Sequence, residues 1–210
     1  MPVPVTEQEK QSPLYKYFEA EMTAPVPENY KAADEPMPAE DALHPLEMNR
    51  LFDDGYLPAR TGYAQFSDGT TTLSNCIEMP GVTPEMFDWW FAWHGLEPLR
   101  YKIWNKDEHY SCQTSDPDKA RDTSLPYRER IWDTVHTVTE SFPPGPMEEI
   151  KINFRNPADI GFSPEKLKSF DGTIVCAGNE HAPVIMCHFL RTFAEFKHLS
   201  SKEAEVSSIL

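Results

Sequence analysis

Short segments that alternate apolar and polar residues, separated by proline and glycine turns, run through most of the chain after about residue 60. Alternation with a period of two is the pattern of a strand with one buried face. The pattern predicts a hairpin around Asp68-Gly69 within 61–80, and further strands within 134–142, 147–162 (ending in a turn), 171–179 and 182–193. Successive strands of this kind pair antiparallel, so we predict an α+β domain built on an antiparallel sheet.

One long helix is clearly signalled, at 83–95, where Thr83 is a candidate N-cap, Pro84 suits the first turn and Gly95 ends the helix. Shorter helices are predicted in SPLYKYFEAEM, ALHPLEMNRLFDDGYL and SPEKLKSF, and a loop with a short helix in DPDKARDTSLPYRERIWD. The segment LRYKIW, at 99–104, alternates and is therefore predicted as a strand.

The first 45 residues are rich in proline and acidic residues. Proline at this density prevents a long helix or a central strand, so we expect an extended N-terminal arm with short helical pieces at 1–45. The remaining residues, 46–210, are expected to form one domain, since their number suits a single core.

Charge and composition exclude several classes of function. A net charge of −15 and a pI near 4.8 leave nothing to neutralise phosphates, so nucleic acid is not expected as a partner. The sequence has neither a membrane-spanning apolar run nor the layout of a signal peptide. Its four cysteines lack CxxC spacing, which favours buried, reduced thiols and a cytoplasmic protein, with two disulfides as the alternative.

The stretch Asp88–Tyr110, DWWFAWHGLEPLRYKIWNKDEHY, concentrates most of the tryptophans together with histidines, tyrosines and carboxylates. Aromatic faces can hold a ring while imidazoles and hydroxyls orient it, so the block is typical of a pocket wall. An aromatic core strand with histidine at its wet end explains the same composition. We take Trp90, Trp93, Tyr101 and Tyr110 as candidate substrate-binding residues.

Two further histidines are not assigned as metal ligands. His94 ends the predicted helix, where a protonated imidazole would interact favourably with the helix C-terminus; a role in the site is the alternative. His136 and Glu140 share one face of the strand within 134–142, but at about 3.3 Å per residue they lie roughly 13 Å apart along it. That span is too long for one metal ion on a straight strand, so His136 is interpreted as a residue beside the site and not as a ligand.

Three motifs of the aromatic block, in this order, resemble those of one enzyme family. They are Trp89–His94 (WWFAWH), Arg100–Trp104 (RYKIW) and Asp107–His109 (DEH). The chain is similar to the 2,4-diacetylphloroglucinol hydrolase and phloretin hydrolase family, zinc enzymes that cleave the C–C bond between an acyl group and a phenolic ring. The similarity continues through PGVTPEMFDWW, INFRNPADIGF and APVIMCHFLR, and so covers about residues 46–191.

This resemblance implies a fold, a cofactor and site residues. The fold is a helix-grip fold like that of the birch-pollen allergen, in which a curved antiparallel sheet wraps a long C-terminal helix. The cofactor is Zn²⁺, whose first histidine and first glutamate in the family correspond to His109 and Glu140, both suitable ligand types. The substrate is a small acylated phenol of the aromatic polyketide kind. Tyr101 would hydrogen-bond the phenol, and we assign His188 as the proton shuttle.

The sequence departs from the family where the metal site should be completed. The related hydrolases have an HxxxE pair on their C-terminal helix, whereas the only HxxxE here is His136–Glu140. Glu195 and His198 could share a helix face and replace the pair, but an amphipathic surface helix over 195–206 is the plainer interpretation. We therefore expect one of three proteins: a zinc hydrolase, a truncated or divergent, catalytically weak member that binds an aromatic ligand, or a fragment completed by self-association or a partner chain.

Overall fold

The computed structural model describes residues 1–24, 27–34, 36–58, 60–142, 144–179, 185–191 and 205–209. The α-helices are α1 (Glu7–Lys10), α2 (Tyr15–Glu19), α3 (Pro27–Ala33), α4 (Pro84–His94), α5 (Pro98–Trp104), α6 (Pro117–Arg121) and α7 (Pro164–Ser169). Short 3₁₀ helices lie at Pro45–Phe52, Tyr127–Arg130 and Pro157–Ile160. The strands are β1 (Gly62–Gln65), β2 (Thr71–Glu78), β3 (His109–Thr114), β4 (Val135–Ser141), β5 (Met147–Arg155), β6 (Gly172–Asn179), β7 (Ile185–Arg191) and β8 (Glu205–Ile209). This mixture of short helices and antiparallel strands confirms the α+β class.

The chain divides into two compact units, and the first consists mainly of Met1–Thr23 and Asp88–Arg155. Its strands lie in the order β5-β4-β3, with antiparallel pairing throughout. Helix α5 packs on β3 and contacts α2. This unit holds the whole aromatic block, so we describe its packing in more detail than that of the second unit.

The N-terminal segment is part of the packing of the first unit. Val3 and Phe18 are buried together with Leu99 of α5, which places apolar surface of the segment against the helix. Beside them the buried ammonium of Lys102 donates to the carboxylate of Glu9 at 2.8 and 2.9 Å and to a backbone carbonyl at 2.9 Å. Burial opposes ionisation of Glu9, but the hydrogen bonds from Lys102 and Thr6 outweigh it and lower the pKa of Glu9. The domain boundary at residue 45 stays a prediction.

The second unit consists mainly of Ala24–Phe87 and Asn156–Ala177, with β7 and β8. Its strands lie in the order β1-β2-β8-β7-β6, and β1 and β2 form the hairpin expected around Asp68-Gly69. The core of this unit contains Leu43, Leu51, Phe162, Ile174, Cys176 and Cys187. All four cysteines are free thiols, and Cys76 is the one that is not fully buried.

Helix α4 follows the sequence closely, since Thr83 caps it by accepting from the amide of Met86 at 3.1 Å and it ends at His94. The segment LRYKIW, predicted as a strand, is instead the helix α5, and that prediction was wrong. Pro98 at its first turn favours a helix, and Leu99 and Lys102, which are three residues apart as on one helix face, are both buried. Apparent alternation over six residues did not distinguish the two periods.

Toward the C-terminus, β8 occupies Glu205–Ile209, whereas the sequence favoured an amphipathic helix that ran through 195–206. Most of that stretch, including Glu195 and His198, lies outside the described residues. A long C-terminal helix of the helix-grip kind is not among the described helices, so the helix-grip arrangement stays a prediction. None of the described helices is long and apolar enough to cross a membrane.

Candidate functional site

The pairing of β3 with β4 brings His109 directly opposite Glu140. The His109 Nε2 and the Glu140 Oε1 lie 4.0 Å apart, and both side chains are largely buried. The register shifts between His109 and Ser111, which marks a β-bulge. Because of this bulge, residues 109 and 112 point to the same face of the sheet, although an unbroken strand would turn them to opposite faces.

One face of this strand pair therefore carries most of the polar groups of interest. Cys112 is paired with Val138, and His136 and Glu140 lie two residues on either side of Val138 on β4. Side chains two apart on a strand, and those directly opposite on the neighbouring strand, share a face. His109, Cys112, His136 and Glu140 thus line one surface, and the helix α5 packs on this strand pair through Tyr101, which is in contact with Cys112 and Val138.

Tyr101 connects the helix to the metal-capable pair. Its hydroxyl donates a hydrogen bond to Glu140 Oε1, and its ring stacks on the His109 ring with centroids 4.1 Å apart and planes within 6°. Tyr101 is 2% exposed, so this hydrogen bond is shielded from water. Three candidate residues from separate parts of the sequence, Tyr101, His109 and Glu140, therefore form one contiguous group.

Burial sets the protonation states of this group. Burial, the nearby Glu140 charge and the hydrogen bond to it together raise the pKa of Tyr101, so the phenol stays neutral. Burial lowers the pKa of His109 to about 4, so the imidazole is neutral at physiological pH, as a metal ligand must be. Burial also raises the pKa of Glu140, against the opposing effect of the Tyr101 hydrogen bond, and the Glu108 charge raises it further.

A second group lies beside the first. His94, Cys112 and His136 are all buried, and one potential ligand atom from each lies within 4.8 Å of the other two. The Cys112 sulfur is 3.7 Å from the His136 Nδ1, and the His94 and His136 rings meet edge to face at 5.0 Å. These three side chains could hold a metal ion. From the sequence, His136 was not assigned as a metal ligand and Cys112 was not considered as one.

His94 differs from expectation in its charge. The sequence favoured a protonated imidazole at the end of α4, but the ring is 3% exposed and burial lowers its pKa to about 4. The prediction of a protonated His94 was therefore wrong, because loss of hydration outweighs the favourable field of a helix terminus. His94 instead donates through its Nδ1 to the Trp90 carbonyl, at 2.9 Å, as a neutral ring.

The aromatic block forms a succession of stacked rings. Trp90 stacks on His94, His94 on Tyr101 and Tyr101 on His109, with centroid separations of 5.7, 5.5 and 4.1 Å. Trp104 meets the rings of Trp90, His94, Tyr101 and His109 edge to face. The aromatic residues concentrated in the sequence thus pack mainly on one another and on the imidazoles.

The other candidate site residues lie in different surroundings. Trp93 carries the Arg100 guanidinium over its ring at 4.5 Å. Tyr110, at the bulge of β3, packs against the buried cluster of Val3, Phe18 and Leu99. His188 lies on β7 in the second unit, where burial lowers its pKa to about 4 and its ring meets Phe87 edge to face at 6.2 Å. Their roles in binding or catalysis stay predictions.

The first unit thus combines side chains of types that can bind metals with side chains of types that can hold or transfer protons, as metal-assisted hydrolases also do. The family model described as DAPG hydrolase PhiG domain matches residues 43–202. The phloretin hydrolase of Eubacterium ramulus is 36% identical over an alignment of 198 positions, which covers 89% of this chain and 69% of that protein. The 2,4-diacetylphloroglucinol hydrolase of Pseudomonas protegens is 28% identical over an alignment of 202 positions, which covers 92% of this chain and 66% of that protein.

The chain therefore belongs to the 2,4-diacetylphloroglucinol hydrolase family. It spans about two thirds of the length of these two relatives. Both relatives are named as hydrolases of phenolic compounds, and the resemblance seen in the motifs of the aromatic block is confirmed.

Proposed function

We propose that this chain is a zinc-dependent hydrolase that cleaves the C–C bond between an acyl group and a phenolic ring of the phloroglucinol type. The observation that carries the proposal is the group formed by Tyr101, Glu140 and His109, in a chain that belongs to this family. The finer fold proposed with it is the helix-grip arrangement, for which the antiparallel strands are the supporting feature.

The residues present fit a zinc ion. Two ligands bound to tetrahedral zinc at about 2.1 Å lie roughly 3.4 Å apart, and the 4.0 Å between His109 Nε2 and Glu140 Oε1 is close to that separation. We propose that His109 and Glu140 hold the zinc, which would supply Lewis acidity and lower the pKa of bound water.

The proposed reaction consumes one water molecule. The bond from the ring carbon to the acyl carbon breaks, a proton is added to that ring carbon, and a water oxygen becomes bonded to the acyl carbon. The products are the deacylated phenol and a carboxylic acid. The residues of the chain have to orient the phenol, exclude bulk water and deliver the proton to the ring carbon.

Tyr101 suits the task of orienting the phenol. Its raised pKa keeps the hydroxyl protonated, and while that proton is donated to Glu140 the oxygen can still accept a hydrogen bond from a substrate hydroxyl. We propose Trp90, Trp93 and Tyr110 as the residues that bind the substrate ring by aromatic contact. His188 is proposed as the proton shuttle, since a neutral imidazole has one nitrogen that donates a proton and one that accepts a proton.

A second candidate function is binding of an aromatic ligand without turnover. It is favoured by the group around Glu140, because β-pairing brings two zinc-ligand types opposite it, His109 on β3 and Glu148 on β5, and Glu148 is exposed to solvent. A catalytic zinc site commonly has three protein ligands. Tight binding of acylphenols without release of a carboxylic acid would support this second function.

Elemental analysis tests the metal site of the proposed hydrolase. The purified chain should contain zinc, and His109→Ala should lose the zinc that this site holds. The matched control is His44→Ala, because His44 pairs with Asp68 in the second unit and belongs to neither metal-capable group. Circular dichroism of each variant reports folding. A folded His109→Ala protein with the full zinc content of the unsubstituted chain would contradict the assignment.

Ring recognition is tested separately, by quenching of tryptophan fluorescence. Acylphenols should quench at lower concentration than aliphatic esters of similar size, since stacked rings gain from the aromatic block. Equal affinity for the two compound classes would contradict recognition of the ring by this block.

A further inference from the structure

His94, Cys112 and His136 form a compact set of nitrogen and sulfur donors in the interior of the first unit. All three are at most 3% exposed, and their potential ligand atoms lie within 4.8 Å of one another. A tetrahedral zinc with Zn–S of about 2.3 Å and Zn–N of about 2.05 Å separates sulfur from nitrogen by roughly 3.6 Å. The observed distance from the Cys112 sulfur to the His136 Nδ1 is 3.7 Å, so these two atoms are already about as far apart as two ligands of one zinc ion.

The orientation of His94 leaves its second nitrogen available. Its Nδ1 lies 2.9 Å from the Trp90 carbonyl oxygen, which can only accept, so the proton of the neutral ring is on Nδ1. The Nε2 therefore carries an unprotonated lone pair. A backbone carbonyl that receives the other N–H is the usual outer contact of a metal-bound histidine, because it fixes both the tautomer and the ring orientation.

His136 is held in place on several sides. Phe154 meets its ring edge to face at 4.6 Å, and the His94 ring does so at 5.0 Å. The backbone of Gly95 lies so close that a Cβ there would be 2.8 Å from the His136 Cε1. The amide of Thr114, the residue opposite His136 on β3, donates to the Gly95 carbonyl at 2.8 Å and fixes this approach. A donor set with so little freedom loses little entropy when it binds an ion.

We propose that His94, Cys112 and His136 form a second metal site, for a divalent cation of the zinc class, separate from His109 and Glu140. Two imidazoles and a thiolate are ligands of borderline softness, which favour zinc over magnesium or calcium. Binding replaces the proton of the Cys112 thiol by the metal and releases that proton to solvent. Three protein ligands leave one coordination position for a further donor.

This site does not depend on the proposed hydrolase activity. Its ligands include sulfur, whereas His109 and Glu140 offer nitrogen and oxygen, so a signal from a metal–sulfur bond belongs to the second site alone. Tyr101 contacts the rings of both His94 and His109, and so lies next to both groups.

The test uses cobalt in place of zinc. The chain is produced in medium supplemented with Co²⁺, so that the buried site is filled as the protein folds, and is purified with its thiols reduced. Thiolate bound to Co²⁺ gives a charge-transfer absorption in the near ultraviolet that nitrogen and oxygen ligands do not give. We expect this band in the unsubstituted chain and in His109→Ala, and its loss in Cys112→Ser.

The matched control is Cys176→Ser, since Cys176 is as buried as Cys112 but lies in the core of the second unit. This variant should keep the band. Absence of the band from the unsubstituted chain, or its persistence in Cys112→Ser, would overturn the proposal.

X-ray absorption at the zinc edge of the unsubstituted, zinc-loaded chain gives an answer even if Cys112→Ser does not fold. The proposal requires a sulfur neighbour at about 2.3 Å from zinc. A zinc environment made only of nitrogen and oxygen would overturn it.

Discussion

Replacement of Gly95 by alanine tests how closely His136 is held against the backbone after α4. The added Cβ would lie 2.8 Å from the His136 Cε1 and 3.0 Å from its Nε2, closer than atoms approach without displacement. The ring cannot retreat easily, because Phe154 and His94 are packed against it. Overpacking of a filled interior costs about 1–3 kcal/mol in free energy of unfolding.

Alanine at this position also has a stabilising effect, which reduces the expected loss in free energy of unfolding. Gly95 does not have a positive φ, so alanine is compatible with its backbone and should restrict the unfolded chain, a gain of about 0.4–1 kcal/mol. The net expectation is a loss of about 1–2 kcal/mol. Urea denaturation followed by tryptophan fluorescence measures it, since Trp89, Trp90 and Trp93 lie in the same unit.

A double-mutant cycle tests whether the contact with His136 causes the loss of stability in Gly95→Ala. In a His136→Ala background the imidazole is absent, so Gly95→Ala should be neutral or slightly stabilising. An equal cost of Gly95→Ala in both backgrounds would show that the contact with His136 is not responsible, and no cost in either would refute the packing described for this residue.

Two further predictions concern the buried Lys102 ammonium and the buried imidazoles of His94 and His136. Lys102→Met should lower the free energy of unfolding by about 3 kcal/mol, because it leaves the largely buried Glu9 carboxylate without its partner. Lys10 is more exposed, so the control Lys10→Met should be nearly neutral, and equal effects of the two substitutions in urea denaturation would contradict the prediction. Burial lowers the pKa of His94 to about 4 and the pKa of His136 to about 3. Below about pH 6.5 the unfolded chain therefore binds protons that the folded chain does not bind. Metal-free protein should keep its full stability above that pH and, as the pH falls below it, lose up to about 1.4 kcal/mol per pH unit for each histidine. Denaturation midpoints that do not change between pH 7 and pH 5 would show that the two imidazoles are not buried as neutral groups.

Part of the site was predictable from local signals. Thr83 and Pro84 mark the start of α4, and the β-branched alternation of 134–142 marks β4, so the helix and the strand that hold His94 and Glu140 were correctly predicted. That His109 and Glu140 lie close together was expected from the family resemblance alone, in which both are zinc ligands. No local pattern reports which residues face each other across two strands.

The rest depended on features without a local signal. The bulge at Tyr110 turns His109 to the face that carries Cys112, and an unbroken alternation would have predicted the opposite. The helix α5 was predicted as a strand because Lys102 was taken as an exposed polar residue in an alternating segment. In the structure Lys102 is buried next to Tyr101, and its ammonium binds the carboxylate of Glu9, far away in the sequence. The group of His94, Cys112 and His136 joins three separate elements, which only tertiary packing brings together.

The central claim is that Tyr101, His109 and Glu140 serve the hydrolysis of an acylated phenol, and product analysis tests it most directly. The zinc-loaded chain is incubated with an acylphloroglucinol, and the deacylated phenol and the carboxylic acid are quantified. We predict that the two products appear in equal amounts, and that Tyr101→Phe lowers kcat/KM by about tenfold to a hundredfold, as expected for loss of a hydrogen bond to a charged group worth about 1.5–3 kcal/mol. Absence of both products with the unsubstituted chain, or an unchanged kcat/KM for Tyr101→Phe, would contradict the claim.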